Sequence, residues 1–201
     1  MAGRLERLTD LIQHRLFVEL EASARHVHVT KEHAKLLFGH GLTEVRPLSQ
    51  PGQFLAAERV SVVGTKGTLE NVAVLGPCRS ESQVEISFTD SRILGVKPPV
   101  RMSGMLHDTP GIQLIGPNGS LKLQNGVIVA QRHIHMTPED AALHHVKDGD
   151  IVRLKALTAR PVVFEQVVVR VDRNFATYVH LDFDEANACG FEPGDLGLIL
   201  H

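Results

Sequence analysis

The chain has 201 residues, 43% hydrophobic and 22% charged, with a formal net charge of −2. That balance supports a packed core, as one large domain or two of about 100 residues each, and excludes wholesale disorder. A single Tyr and no Trp, without a basic stripe, exclude a base-stacking nucleic-acid surface, and no apolar run is long enough for a membrane-spanning helix. Two cysteines, Cys78 and Cys189, build no disulfide framework. With no apolar leader at the N-terminus, the expected location is the cytoplasm. Histidine is the outlier, at 12 residues.

In chain order, residues 4–16 predict an amphipathic helix, with Leu5, Leu8, Ile12 and Leu16 at helical spacing. It reads either as a helix docked on the body or as a tail that recognises a partner. Strand character then runs from Phe17 to Val29 and ends in Arg25-His26-Val27-His28-Val29-Thr30. Thr30 is placed to cap a short helix that Gly39 stops. Short β-rich runs follow at residues 60–63, 72–75, 84–88, 112–115, 121–123 and 127–130, separated by Gly and Pro. The motif then returns as Arg132-His133-Ile134-His135-Met136-Thr137, again leading into a helix, now with Pro138 at its first position. Further strands are expected at 151–157, 162–171 and 178–182, and two Gly-Asp turns, at Gly149-Asp150 and Gly194-Asp195, introduce strands. The expectation is a mainly β protein with short helices, organised as two β-barrel domains.

Alternate side chains of a strand share a face, so His26 and His28 project together, as do His133 and His135. Two adjacent imidazoles suit a borderline-soft divalent metal, zinc above all, which takes three or four protein ligands. Candidates for the remaining ligands are Glu85, on the alternating run Val84-Glu85-Ile86-Ser87-Phe88, and His180, in Tyr178-Val179-His180-Leu181-Asp182. The other histidines, at 14, 33, 40, 107, 144, 145 and 201, are read as surface residues. Arg79 sits in a turn of small polar residues that opens onto the Glu85 strand. There it is suited either to bidentate capture of phosphate or carboxylate, or to an exposed ion pair. Cys78 is read as a small buried residue rather than a nucleophile.

From about residue 18 onward the sequence resembles the PduL-type phosphotransacylases (phosphate propanoyltransferases). The resemblance is carried by Arg25-His26-Val27-His28, Pro47-Leu48-Ser49-Gln50-Pro51-Gly52-Gln53-Phe54, Glu70-Asn71-Val72, Leu75-Gly76-Pro77, Gln83-Val84-Glu85 and Thr89-Asp90. It continues through Thr109-Pro110-Gly111-Ile112, Gly126-Val127-Ile128-Val129-Ala130, Arg132-His133-Ile134-His135-Met136-Thr137-Pro138 and Asp184-Glu185-Ala186-Asn187-Ala188. Arg46 and Ala73 stand where relatives are expected to carry Lys and Arg.

The resemblance implies an enzyme that interconverts acyl-CoA plus phosphate with acyl phosphate plus CoA, acting as a homodimer. It implies two zinc ions per subunit at a site between the two barrels, one held by His26, His28 and Glu85 and the other by His133, His135 and His180. Arg79 would bind phosphate, and Ser103 and Asn187 would contact CoA. It further implies that residues 17–24 join 131–201 in the second barrel, leaving 25–130 as the first and 1–16 as a tail. Some relatives use an N-terminal helix to enter a bacterial microcompartment, which makes shell or cargo proteins candidate partners and its interior a candidate location. Direct attack of phosphate on the thioester needs no acyl-enzyme, and it is the expected mechanism. Two competing readings keep the same ligands: a dinuclear zinc acyl-CoA hydrolase, and a metal-binding microcompartment protein without catalysis.

Overall fold

A computed structural model describes residues 16–200, so the helix expected at residues 4–16 lies, Leu16 apart, outside the described residues. The protein is mainly β, and it divides into two compact units. One is Ala24–Gln131; the other joins the segment ending at Ser23 to the residues from Arg132 onward. The stretch of strand character from Phe17 to Val29 is two strands, Val18–Ser23 and His26–His28. The break falls where the chain passes from one unit to the other.

The second of these units is a closed barrel. Its strands run in the order Val18–Ser23, Tyr178–Asp182, His133–Met136, Val163–Val171, Ile151–Leu157 and Leu196–Leu200, the last pairing back onto the first. Strand alternation builds its core: Val152, Leu154 and Ala156 point inward while Ile151, Arg153, Lys155 and Leu157 are exposed. Ile134 and Met136 join Leu20, Val169, Val179 and Leu181 in that core. The same period turns His133 and His135 to the opposite side of their strand.

Ala24–Gln131 forms a nine-stranded sheet curled into half a barrel. At its centre the short strand His26–His28 lies between Gln83–Glu85, antiparallel, and Thr68–Gly76, parallel. Val27, Val74 and Val84 pack into the core, which again directs His26 and His28 the other way.

Both expected helices are present. Lys31–Phe38 is capped by the Thr30 side chain, which accepts from the His33 N–H, and closed by Gly39 in the left-handed region at φ 82°. Pro138–Leu143 is capped in the same way by Thr137.

Two further helices, Phe88–Leu94 and Phe183–Cys189, replace expected strand or loop. The run 84–88 does not continue as a strand, because Ser87 and Asp90 form a capping box. The Asp90 N–H donates to Ser87 Oγ at 3.2 Å, and the Ser87 N–H donates to Asp90 Oδ2 at 3.2 Å. Asp182 and Glu185 do the same for the later helix. Ser87→Ala is expected to lower stability by about 1 kcal/mol, read as a shift in the chemical-denaturation midpoint. No helix among the described residues is long and apolar enough to cross a membrane.

Candidate functional site

The half-barrel brings His26, His28 and Glu85 together. His26 faces Glu85 across the antiparallel ladder, and His28 faces Gln83. The two Nε2 atoms are 3.2 Å apart, and Glu85 Oε1 lies 3.5 Å from that of His26 and 4.0 Å from that of His28. All three residues are buried. His26 Nδ1 is 2.8 Å from the Ala24 carbonyl, which only accepts, so Nδ1 carries a proton and, in the neutral ring, Nε2 presents its lone pair to the cluster.

At Glu85 and His28 the electrostatics suit ligation, which needs a carboxylate and a neutral imidazole. Burial pushes Glu85 upward, but His26, His28 and Arg79 outweigh it and hold the carboxyl well below the usual carboxylate range. Burial, then His26 and Arg79, push His28 well below an ordinary histidine. Burial also works downward on His26, yet the charge and hydrogen bond of Glu85 prevail and its value is raised.

The barrel gathers His133, His135 and His180, whose candidate ligand atoms lie within 4.8 Å of one another. His133 faces His180 across the ladder, as His26 faces Glu85. His135 Nδ1 is 3.1 Å from His180 Nε2, and Phe175 packs on the His135 ring at a centroid distance of 4.1 Å. Glu21, opposite His180 on the neighbouring parallel strand, places Oε2 3.5 Å from His180 Nδ1. A carboxylate there holds the proton on Nδ1 and turns the Nε2 lone pair into the cluster.

Arg79 is tethered to the first cluster through Ser103. Arg79 Nη1 donates to Ser103 Oγ at 2.9 Å, and Ser103 Oγ donates to Glu85 Oε1 at 3.0 Å. Gln83 Nε2 donates to Ser103 Oγ at 2.8 Å and to Glu85 Oε1 at 2.5 Å. With two bonds accepted and one donated, the hydroxyl's capacity is used in full. Arg79 is half-buried and lines a pocket of about 370 Å³ with Pro51, Gly52, Gln53, Gly76 and Pro77. Gly76 is required at its wall, since a Cβ there would sit 2.1 Å from the Phe54 ring.

The remaining candidates fall elsewhere. Asn187 is on the exposed side of Phe183–Cys189 and in neither cluster. Burial pushes the Cys78 thiol up, away from the thiolate a nucleophile needs. His144, expected at the surface, is buried behind the end of Pro138–Leu143. Glu21 and Gln83 were not singled out from the sequence. Their contacts depend on strand register, which no local feature of the sequence reveals.

Fold and side chains together define a mainly β protein with two three-ligand clusters. That count is typical of metal-assisted enzymes, whereas structural zinc sites are closed by four protein ligands. The sequence profile of the family described as phosphate propanoyltransferase matches residues 19–192. A phosphate propanoyltransferase of Enterococcus faecalis is 54% identical over 184 residues, covering 90% of this chain and 87% of the relative. One of Clostridioides difficile is 48% identical over 198 residues, covering 98% and 95%. One of Thermotoga maritima is 54% identical over 181 residues, covering 89% and 86%. The chain belongs to the phosphate propanoyltransferase family and is a phosphate acyltransferase.

Proposed function

We propose that this protein transfers the acyl group of a short-chain acyl-CoA to inorganic phosphate, reversibly, with a metal ion in each histidine cluster. The observation that carries the reading is the tether of Arg79 through Ser103 to Glu85. It sets a cation of the kind suited to phosphate beside a cluster of metal-ligand type.

The residues fit zinc. Both donor sets combine imidazole nitrogens, with one carboxylate in the first, and the Ala24 carbonyl and Glu21 fix ring nitrogens in ligating form. His26, His28 and Glu85 would hold one ion, and His133, His135 and His180 the other. Bound zinc would supply Lewis acidity toward a thioester carbonyl and its departing sulfur.

The rest of the work falls to the chain's own groups. The Arg79 guanidinium grips phosphate oxygens in a planar fork, offsets their charge and aims one oxygen at the carbonyl carbon. Ser103 keeps that fork from rotating. The phosphate oxygen forms the new bond to carbon, the C–S bond breaks, and its electron pair leaves with sulfur, which takes up the proton that hydrogen phosphate gives up and becomes CoA thiol. The pocket beside Arg79 gives the reacting groups room. No step requires an acyl-enzyme, in keeping with the raised Cys78 thiol. In the same reading the protein works as a homodimer in the cytoplasm, free or inside a bacterial microcompartment.

The test is CoA release from acetyl-CoA and propionyl-CoA by metal-replete protein, with and without phosphate. Release that depends on phosphate is expected. Release indifferent to phosphate would make the protein a hydrolase, and no release from either substrate would leave a metal-binding protein without this catalysis.

A further inference from the structure

The two clusters share more than their ligands. Glu85-Ile86-Ser87-Phe88-Thr89-Asp90 and His180-Leu181-Asp182-Phe183-Asp184-Glu185 follow one plan. In each, the third ligand of a cluster lies on a strand, the helix N-cap comes two residues later, and the acid of the capping box comes five residues later. The partner strand repeats as well, since an arginine immediately precedes the first histidine of each pair.

Those two arginines meet the two capping-box acids. Arg25 Nη2 is 3.1 Å from Asp90 Oδ1 and its Nε is 3.2 Å from Asp90 Oδ2, a side-on pair that uses both carboxylate oxygens. Arg132 Nη1 is 2.5 Å from Glu185 Oε1, and its Nε donates to the Glu165 carbonyl at 2.7 Å. Asp90 is buried, and its Oδ2 also accepts from the Ser87 N–H. One carboxylate therefore fixes the start of the helix and the end of the histidine strand together.

The need for such a contact is geometric. His26–His28 and Gln83–Glu85 are strands of three residues each, paired over only three positions. A ladder that short leaves the angle between the strands poorly fixed, and a small tilt separates ligand atoms that must converge on one ion.

We propose that Arg25 and Arg132 are positioning residues, each latching a histidine strand to the helix that continues the strand bearing the third ligand. The inference rests on the metal reading above, and it goes beyond it in assigning these two arginines to the geometry of the clusters.

The experiment is titration of the full-length apoprotein with Co²⁺ against a competing chelator, reading affinity and the visible d–d spectrum. His26→Ala and His133→Ala serve as references for a single remaining site. Arg25→Ala is expected to weaken the site retained in His133→Ala by about 10–100-fold, the range for outer-shell partners, and to alter its spectrum. The other site keeps its affinity and spectrum. Arg132→Ala is expected to do the reverse. Arg132→Lys, whose ammonium still reaches Glu185 for one ion pair, recovers part of the loss, and it carries the test if the alanine variant does not fold.

Wild-type affinity and spectra at both sites in the arginine variants would overturn the latch alone. Equal weakening of both sites would also overturn it, by showing a general effect on the fold. A wild-type protein that binds no Co²⁺ would overturn the metal reading and the latch with it.

Discussion

Arg79→Ala is expected to lower kcat/KM for phosphate by about 1,000-fold, with metal content unchanged and KM for acyl-CoA little affected. The magnitude follows from what the guanidinium does. In the proposed reaction it would bind a doubly charged nucleophile in a partly buried pocket, where a preorganised charge is worth more than in water, and would also set the direction of attack. Arg79→Lys retains the charge and loses the fork, so it recovers only a small part of the rate. Ser103→Ala removes one contact that orients the guanidinium and is expected to cost less than removing it. Initial rates at varied phosphate, at saturating acyl-CoA, decide the matter. An Arg79→Ala enzyme within threefold of wild type would remove the phosphate role from this residue.

Removing a cluster ligand is expected to have an effect at least as large on turnover, through a different quantity. His26→Ala and His133→Ala should each lose about one metal equivalent per chain, measured by elemental analysis after dialysis, and at least about 100-fold in activity. Each ligand set has three side chains, and two imidazoles, or an imidazole and a carboxylate, hold a labile divalent ion far more weakly. His40→Ala, altering an exposed histidine that belongs to neither cluster, should keep both equivalents and full activity. Arg79→Ala should also keep both equivalents, which separates loss of the cation from loss of metal. Full metal content in the histidine variants would exclude these clusters as the metal centres.

The histidine pairs were legible because a strand's period of two is a local property that survives any global arrangement. Val27 and Ile134 are apolar and go to the cores, so their histidine neighbours must share the other face. The Thr30 and Thr137 helix starts were legible for the same local reason. Alternation misled at residues 84–88. There the Ser-x-x-Asp spacing of Ser87 and Asp90 overrides strand propensity two residues beyond Glu85. That signal, and Asp182 with Glu185, was present in the sequence and outweighed in the reading by the run of β-formers.

The break after Ser23 had no local sign, since neither Gly nor Pro stands there. It arises because Val18–Ser23 finds its partners in Tyr178–Asp182 and Leu196–Leu200, near the far end of the chain. Glu21 beside His180, and Ser103 between Arg79 and Glu85, depend on the same kind of long-range pairing. No spacing rule reaches that far.

That closure of the first described strand onto the last also sets an order on synthesis. Ala24–Gln131 is one continuous stretch, so all the chain it needs has left the ribosome while the C-terminal segment is still being made. The barrel has no such freedom. Val18–Ser23 emerges before Ala24–Gln131, yet its partner strands Tyr178–Asp182 and Leu196–Leu200 both come after that unit, and until they arrive Val18 and Leu20 lack the strands that flank them in the barrel. The histidine cluster at His26 can therefore assemble early in translation, whereas the one at His133 belongs to a barrel that closes only once Leu196–Leu200 has emerged.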